Sequence, residues 1–179
     1  ADLFISAATK QMDALKSGKL LVDSTIKNIL YNDVVLVVPK NSKLAVKGFK
    51  DLTAKSVKTV ALGEPKSVPA GQYAEEILTY YKILNDVKKK SVQGKDVREI
   101  LTWVESGNAD AGIVYKTDAL ISKKVKIVAT APANSHKPVV YPAAVIKSSK
   151  NTAAAKDLLT FLASKKATAV FEKYGFKTK

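Results

Sequence analysis

Cysteine is absent from the 179 residues. That excludes disulfides, thiolate metal sites and a cysteine nucleophile, and it says nothing of compartment, since many exported proteins also lack cysteine. Long apolar runs are missing too, none approaching the ~18 residues of a membrane span. Histidine occurs once, as His136 in "NSHKPVV". With no cysteine partner and no metal-ligand spacing around it, it reads as a surface-loop histidine, and an enzyme's nucleophile-base pair or metal centre is not assembled. Acidic residues are few, 16 against 30 Lys+Arg, for a net charge of +14. Such an excess raises nucleic-acid binding, which needs basic residues gathered on one face with aromatics among them. Here the lysines are scattered, and the densest run, "VKKKS" from Val87 to Ser91, holds no aromatic. No zinc-finger, basic-zipper or RNA-recognition signature is present, so the charge reads as a solvated lysine-rich surface with no nucleic-acid partner. The opening "ADLFISAATK" lacks a basic stretch followed by an apolar one, so no signal segment is expected within this chain, although one removed from it would leave no trace.

What is present is an ordinary globular composition, 46% hydrophobic and 26% charged, in a length that suits one domain or two small ones. Strand and helix patterns alternate. "DLFISA" reads as a buried strand, followed by Thr9 as N-cap of a helix closing on Gly18. "DVVLVVPK" is a β-branched strand stopped by Pro39, and "VKTVALGEP" is another that ends in turn residues. A helix from Pro69 places Tyr73, Ile77, Tyr81 and Leu84 near one face. "KDVREILTWVESGN" aligns Val97, Ile100, Leu101 and Val104 on one stripe and ends at Gly107. "DAGIVY" and "VKIVAT" are short strands, and "KPVVYPAAVIK" is extended and twice interrupted by proline. Two closing helices turn Ala155, Leu158, Leu159 and Leu162, then Ala167, Val170, Phe171 and Tyr174, inward. The pattern predicts an α/β protein with a largely parallel sheet.

Open α/β sheets bind ligands where the loops after the strands gather, and three places suit that position. In "GEPKSVPAGQYAEEIL", proline at the first helical position gives up an N–H that would lack a partner anyway. The next amides, Ala70's among them, face outward with the positive end of the helix dipole behind them, so an anion is served without a lysine. Asp96 as N-cap with Glu99 three residues on forms a capping-box-like entrance that leaves the Val97 amide free. Tyr115 ends the strand "DAGIVY" and can turn a phenolic O–H into the same space. Each feature has a plain structural counterpart: a strand-to-helix link, a helix cap with an ordinary amide, and a packing tyrosine.

Together, "ADLFISA", "VPAGQYAEEIL", "DVREILTWVESGNADAGIVYKTDA", "SHKPVVYPAAVIK" and "FEKYGF" closely resemble the molybdate-binding proteins of bacterial ABC-type molybdate importers, a periplasmic-binding-protein family. The resemblance covers essentially the whole chain and is most specific from Asp96 to Ala119. It implies a type II periplasmic-binding-protein fold of two α/β lobes joined by two crossover strands, for which "DVVLVVPK" and "VVYPAAVI" are the matching stretches. Residues 1–36 and 141–179 would form one lobe and 37–140 the other. It further implies an oxyanion, molybdate or tungstate, held in the interlobe cleft by neutral donors at the backbone N–H groups of Ala70 and Val97 and the hydroxyl of Tyr115. These would touch the oxygens only, with no direct ligand to the metal atom and no cofactor. The implied partner is the membrane permease of the importer, and the implied location is extracytoplasmic, periplasmic or as a cell-surface lipoprotein. A ligand-sensing domain of a regulator is the alternative with the same bilobal fold; it would normally be fused to a helix-turn-helix segment, which is not visible here.

Family members begin with a further strand, helix and strand carrying two serine-type hydroxyl ligands, on the order of 30 residues or more, and this chain opens at the strand that follows. The first lobe is therefore expected to be incomplete at its N-terminus, with unpaired edges that recruit another chain or leave that lobe loosened. Loss of two hydroxyl donors at about 1.5–3 kcal/mol each is expected to weaken the anion roughly a hundred- to ten-thousandfold.

Overall fold

The computed structural model describes residues 1–178. In chain order the elements are β1 (Leu3–Ile5), α1 (Thr9–Ser17), β2 (Lys27–Asn32), β3 (Val34–Pro39), β4 (Val60–Gly63), α2 (Pro69–Tyr80), α3 (Leu84–Lys88) and β5 (Ser91–Gly94). They continue with α4 (Val97–Glu105), β6 (Ala111–Tyr115), α5 (Lys116–Ile121), β7 (Val125–Thr130), β8 (Val139–Val145), α6 (Thr152–Leu162) and α7 (Lys165–Lys173). They form two compact units, Ala1–Asn32 with Val139–Lys179, and Asp33–Pro138. β3 lies wholly in the sheet of the second unit and β8 wholly in that of the first.

The first unit holds a three-stranded sheet in the order β1-β8-β2, with both pairings antiparallel. Successive side chains of a strand point to opposite faces, and β8 uses both. Ala143 and Val145 pack with Ala155 and Leu159 of α6, while Ala144 packs with Met12 of α1. Pro142 sits in this central strand, where a missing N–H would normally break a ladder. The break is absorbed by an irregularity in β2, whose register shifts between Asn28, opposite Pro142, and Leu30. β1 is a three-residue edge strand with Ile5 exposed, not the buried strand its composition predicts. On α6, Ala155, Leu159 and Leu162 pack inward but Leu158 is 48% exposed. Adjacent helical residues lie about 100° apart, and here the inward stripe is centred so that it takes Leu159 and leaves Leu158 on the solvent side. On α7, Ala167 and Phe171 turn inward, whereas Val170 and the C-cap Tyr174 are exposed.

The second unit holds five strands in the order β5-β4-β6-β3-β7. β4 pairs in parallel with β5 and β6, because helical crossovers separate these strands in the chain, but β3 runs antiparallel to both β6 and β7. The largely parallel sheet predicted from the alternation is thus a mixed sheet here and an antiparallel one in the first unit. Val34 to Val38 of β3 are fully buried, as a strand covered on both faces requires. α4 lays Ile100, Leu101 and Val104 over Val35, Val37 and Val114. Asp110 closes the far edge: its carboxylate accepts N–H groups of Lys58 (2.6 Å) and Thr59 (3.0 Å), tying the entrance of β6 to that of β4.

Helix ends depart from expectation in an instructive way. α2 stops at Tyr80 rather than running to Leu84, because Lys82 adopts φ 60°. Ile83 N–H then donates to Leu78 C=O (2.9 Å) and Lys82 N–H to Thr79 C=O (2.9 Å), the Schellman pattern. α1 ends likewise: Lys19, not Gly18, is left-handed (φ 56°), with Leu20 N–H on Leu15 C=O and Lys19 N–H on Lys16 C=O. At the other end of α1, Thr9 is the first helical residue, and Ala8 occupies the cap with no side-chain bond. β2, β5 and α5 escape the sequence pattern: β2 and β5 mix exposed polar with buried residues at sheet edges, and α5 is only six residues long.

Candidate functional site: three neutral donors at one sheet edge

β4, β5 and β6 are parallel neighbours, so their carboxyl ends share one edge of the second unit's sheet. α2 follows β4, α4 follows β5, and Tyr115 is the last residue of β6. The topology therefore brings the two helix entrances and Tyr115, which lie far apart in the chain, to the same edge.

At the first entrance, Val68 N–H donates to Glu64 C=O (2.8 Å) and Pro69 opens the helix. Ala70, fully buried, is the second helical residue, and among the described residues no group accepts its N–H. Two glycines set how closely this turn sits on the strand. A Cβ on Gly71 would lie 2.3 Å from the carbonyl oxygen of Gly63, and one on Gly63 would lie 2.9 Å from the Gly71 nitrogen. Backbone thus lies on backbone at the mouth of β4, leaving no room for a side chain.

At the second entrance, Asp96 Oδ1 accepts the Glu99 N–H (2.9 Å) as an N-cap should. The reciprocal arm differs from the predicted capping box: Glu99 Oε2 accepts the N–H of Lys95 (2.7 Å), one residue before the cap. Val97, half-buried, is the first helical residue, and its amide has no acceptor among the described residues.

Tyr115 is 5% exposed and stands opposite Val34 in the ladder, immediately before α5. Its ring meets Tyr73 of α2 edge-on, with centroids 6.4 Å apart. Tyr73 in turn meets His136 edge-on at 5.7 Å. His136 is in a loop, as predicted, but half-buried, with Nδ1 2.6 Å from the carbonyl oxygen of Lys137. Neither Tyr73 nor the Gly63–Gly71 contact stood out in the sequence as part of a site. Tyr73 reads there as one more apolar-face residue, and the glycine contact spans a turn whose path has no sequence signature.

The charged groups nearest in sequence are Asp96 and Arg98 on either side of Val97, and Lys116 beside Tyr115, whose Nζ lies 3.7 Å from Asp33 Oδ2; Asp118 follows on α5. Burial pushes the Asp118 carboxyl above its ordinary range, and the Arg98 guanidinium offsets part of that rise. The three candidate donors themselves are two amides and a phenol. A donor set of this kind can satisfy oxyanion oxygens without placing a cation against them.

A family profile described as "Bacterial extracellular solute-binding protein" matches residues 1–177. YvgL of Bacillus subtilis, named as a candidate ABC transporter substrate-binding lipoprotein, is 49% identical over 98% of this chain and 67% of its own length. The molybdate-binding protein ModA of Haemophilus influenzae is 44% identical over 100% of this chain and 71% of its own. Among solved structures, the substrate-binding domain of a candidate molybdenum ABC transporter from Clostridium difficile superposes with a TM-score of 0.81 at 47% identity, covering 100% of this chain and 77% of that one. The fold is accordingly that of the type II periplasmic binding proteins, the resemblance read from the sequence holds over the whole chain, and the chain belongs to the bacterial extracellular solute-binding proteins.

Proposed function

We propose that this solute-binding protein captures molybdate or tungstate through the amides of Ala70 and Val97 and the hydroxyl of Tyr115, and delivers it to the membrane permease of an ABC importer. The observation that carries the reading is the convergence of these neutral donors at the carboxyl ends of three parallel strands, two of them amides with no other acceptor among the described residues. The names of ModA and of the Clostridium difficile domain support the same ligand. Delivery to a permease places the protein outside the cytoplasm, in a periplasm or held at the cell surface by a lipid. No helix among the described residues is long and apolar enough to cross a membrane. The family is one of solute-binding proteins rather than enzymes, and the proposed donors can bind and orient an oxyanion. Nothing in the fold or the relatives favours the alternative of a ligand-sensing regulatory domain.

Donors alone select among oxyanions in two ways. A fixed set fits one radius best, and an anion that carries an acidic proton brings a donor where only donors await it. Isothermal titration with molybdate, tungstate, sulfate and phosphate tests this. The expected result is far tighter binding of the first two, and sulfate binding as tightly as molybdate overturns the proposal.

A further inference from the structure

The hydroxyl of a tyrosine is only as well placed as its ring, and two torsions separate the ring from the backbone. The Tyr115 ring is met edge-on by a second ring, that of Tyr73. Tyr73, buried on α2 one turn after Ala70, presents its ring to Tyr115 at an interplanar angle of 66°. Tyr73 cannot retreat, because His136 packs on it at 70° with centroids 5.7 Å apart. His136 is itself fastened from both sides. Ser135, buried, donates its hydroxyl to Pro132 C=O (2.6 Å), and Lys137 N–H donates to Glu76 Oε2 (2.7 Å), one turn beyond Tyr73 on the same helix. The Tyr73 hydroxyl lies 3.5 Å from Pro138 C=O, the outer limit of a hydrogen bond, while its ring makes both edge-on contacts.

We propose that Tyr73 is a positioning residue: its ring, wedged between His136 and Tyr115, fixes where the Tyr115 phenol stands at the carboxyl end of β6. α2 then serves the site twice, offering the Ala70 amide from its first turn and holding the third donor from its second. The effect on affinity rests on the oxyanion reading above; the effect on the Tyr115 ring does not.

The test therefore has two arms. In tyrosine-labelled protein, ring-flip rates of Tyr115 are measured by NMR, with its signals assigned by their loss in Tyr115→Phe. Tyr73→Leu is expected to speed the flips tenfold or more, Tyr73→Phe to leave them near the native rate, and His136→Ala, which opens no hole in the buried core, to give an intermediate rise. In the second arm, molybdate titration is expected to show Tyr73→Leu binding at least tenfold more weakly and Tyr73→Phe within about twofold of native. The Leu penalty should largely vanish in a Tyr115→Phe background, where no hydroxyl is left to position. Native flip rates in both Tyr73→Leu and His136→Ala overturn the proposal, as does a Leu penalty that persists undiminished without the Tyr115 hydroxyl. If the native protein binds no molybdate, the oxyanion reading fails and the flip rates alone decide this one.

Discussion

Tyr115→Phe removes one hydroxyl and keeps the ring that packs against Tyr73. A hydrogen bond to a charged group is worth about 1.5–3 kcal/mol, so molybdate is expected to bind roughly ten- to a hundredfold more weakly with the melting temperature unchanged. Titration beside a thermal melt checks both, and an unchanged dissociation constant removes Tyr115 from the site. Asp118 makes a different test, of burial rather than of binding. Its carboxyl is raised above the ordinary 3.8 by burial, against the pull of Arg98, so the folded chain holds the proton more tightly than the unfolded one. Stability from this group is therefore greatest at low pH and declines as pH climbs from about 3.8 through the raised folded value. Asp118→Asn removes the buried charge. The variant should resist urea better than the native protein at pH 7, and the advantage should disappear near pH 3, where both states are protonated. A midpoint at pH 7 equal to or below the native one contradicts this account.

Four helices end with a left-handed residue just past the C-cap: Lys19 after α1, Lys82 after α2, Gly107 after α4 and Gly175 after α7. Only the last two use the residue that takes this conformation freely. For a lysine the left-handed region costs about 1–2 kcal/mol, while glycine brings an entropic cost of roughly 0.5–1 kcal/mol. Relief of strain outweighs that cost, so Lys82→Gly is expected to stabilise the protein by about 0.5–1 kcal/mol. Urea midpoints measure the change, and a loss of stability would mean that the lysine side chain contributes more than its backbone costs. The same reasoning explains why the α2 stripe breaks. Once Lys82 turns the chain, Ile83 rather than Leu84 falls into the core, and α3 starts as a separate helix.

At the scale of the whole molecule the dominant feature is a net charge of +14. The proposed anion site draws on none of it, since its donors are neutral. The charge is assigned to a solvated surface, and the corresponding expectation is that duplex DNA is not retained at ~150 mM salt, where binding that depends on counterion release falls steeply. Micromolar or tighter retention in an electrophoretic or anisotropy assay at that salt would require a functional role for the lysines that this fold does not supply.

Much of this was legible in local chemistry. The β-branched run from Val34 to Val38 is a strand covered on both faces, Pro69 opens a helix, and Asp96 and Gly107 bracket another. The donor positions Ala70, Val97 and Tyr115 were nameable one by one because a free amide is a property of a helix's first turn, and a resemblance along the chain grouped them. Local chemistry reaches only as far as neighbouring residues. It cannot say that β3 runs against β6, since that depends on which distant strand supplies the partner. Nor can it say that Leu159 and not Leu158 meets β8, since two adjacent leucines have the same intrinsic drive to be buried. Edge strands such as β5, with Val92 and Gln93 exposed, carry no burial pattern to detect. The backbone contact of Gly63 with Gly71 and the ring sequence His136, Tyr73, Tyr115 exist only where loops and a helix from separate parts of the chain are pressed together. Sequence by itself determined which segments form strands and helices and which helix entrances leave amides without an acceptor; tertiary packing decided the direction of the strands, the facing of the helices and the rings that meet Tyr115, because those are set by close packing between residues remote in the chain.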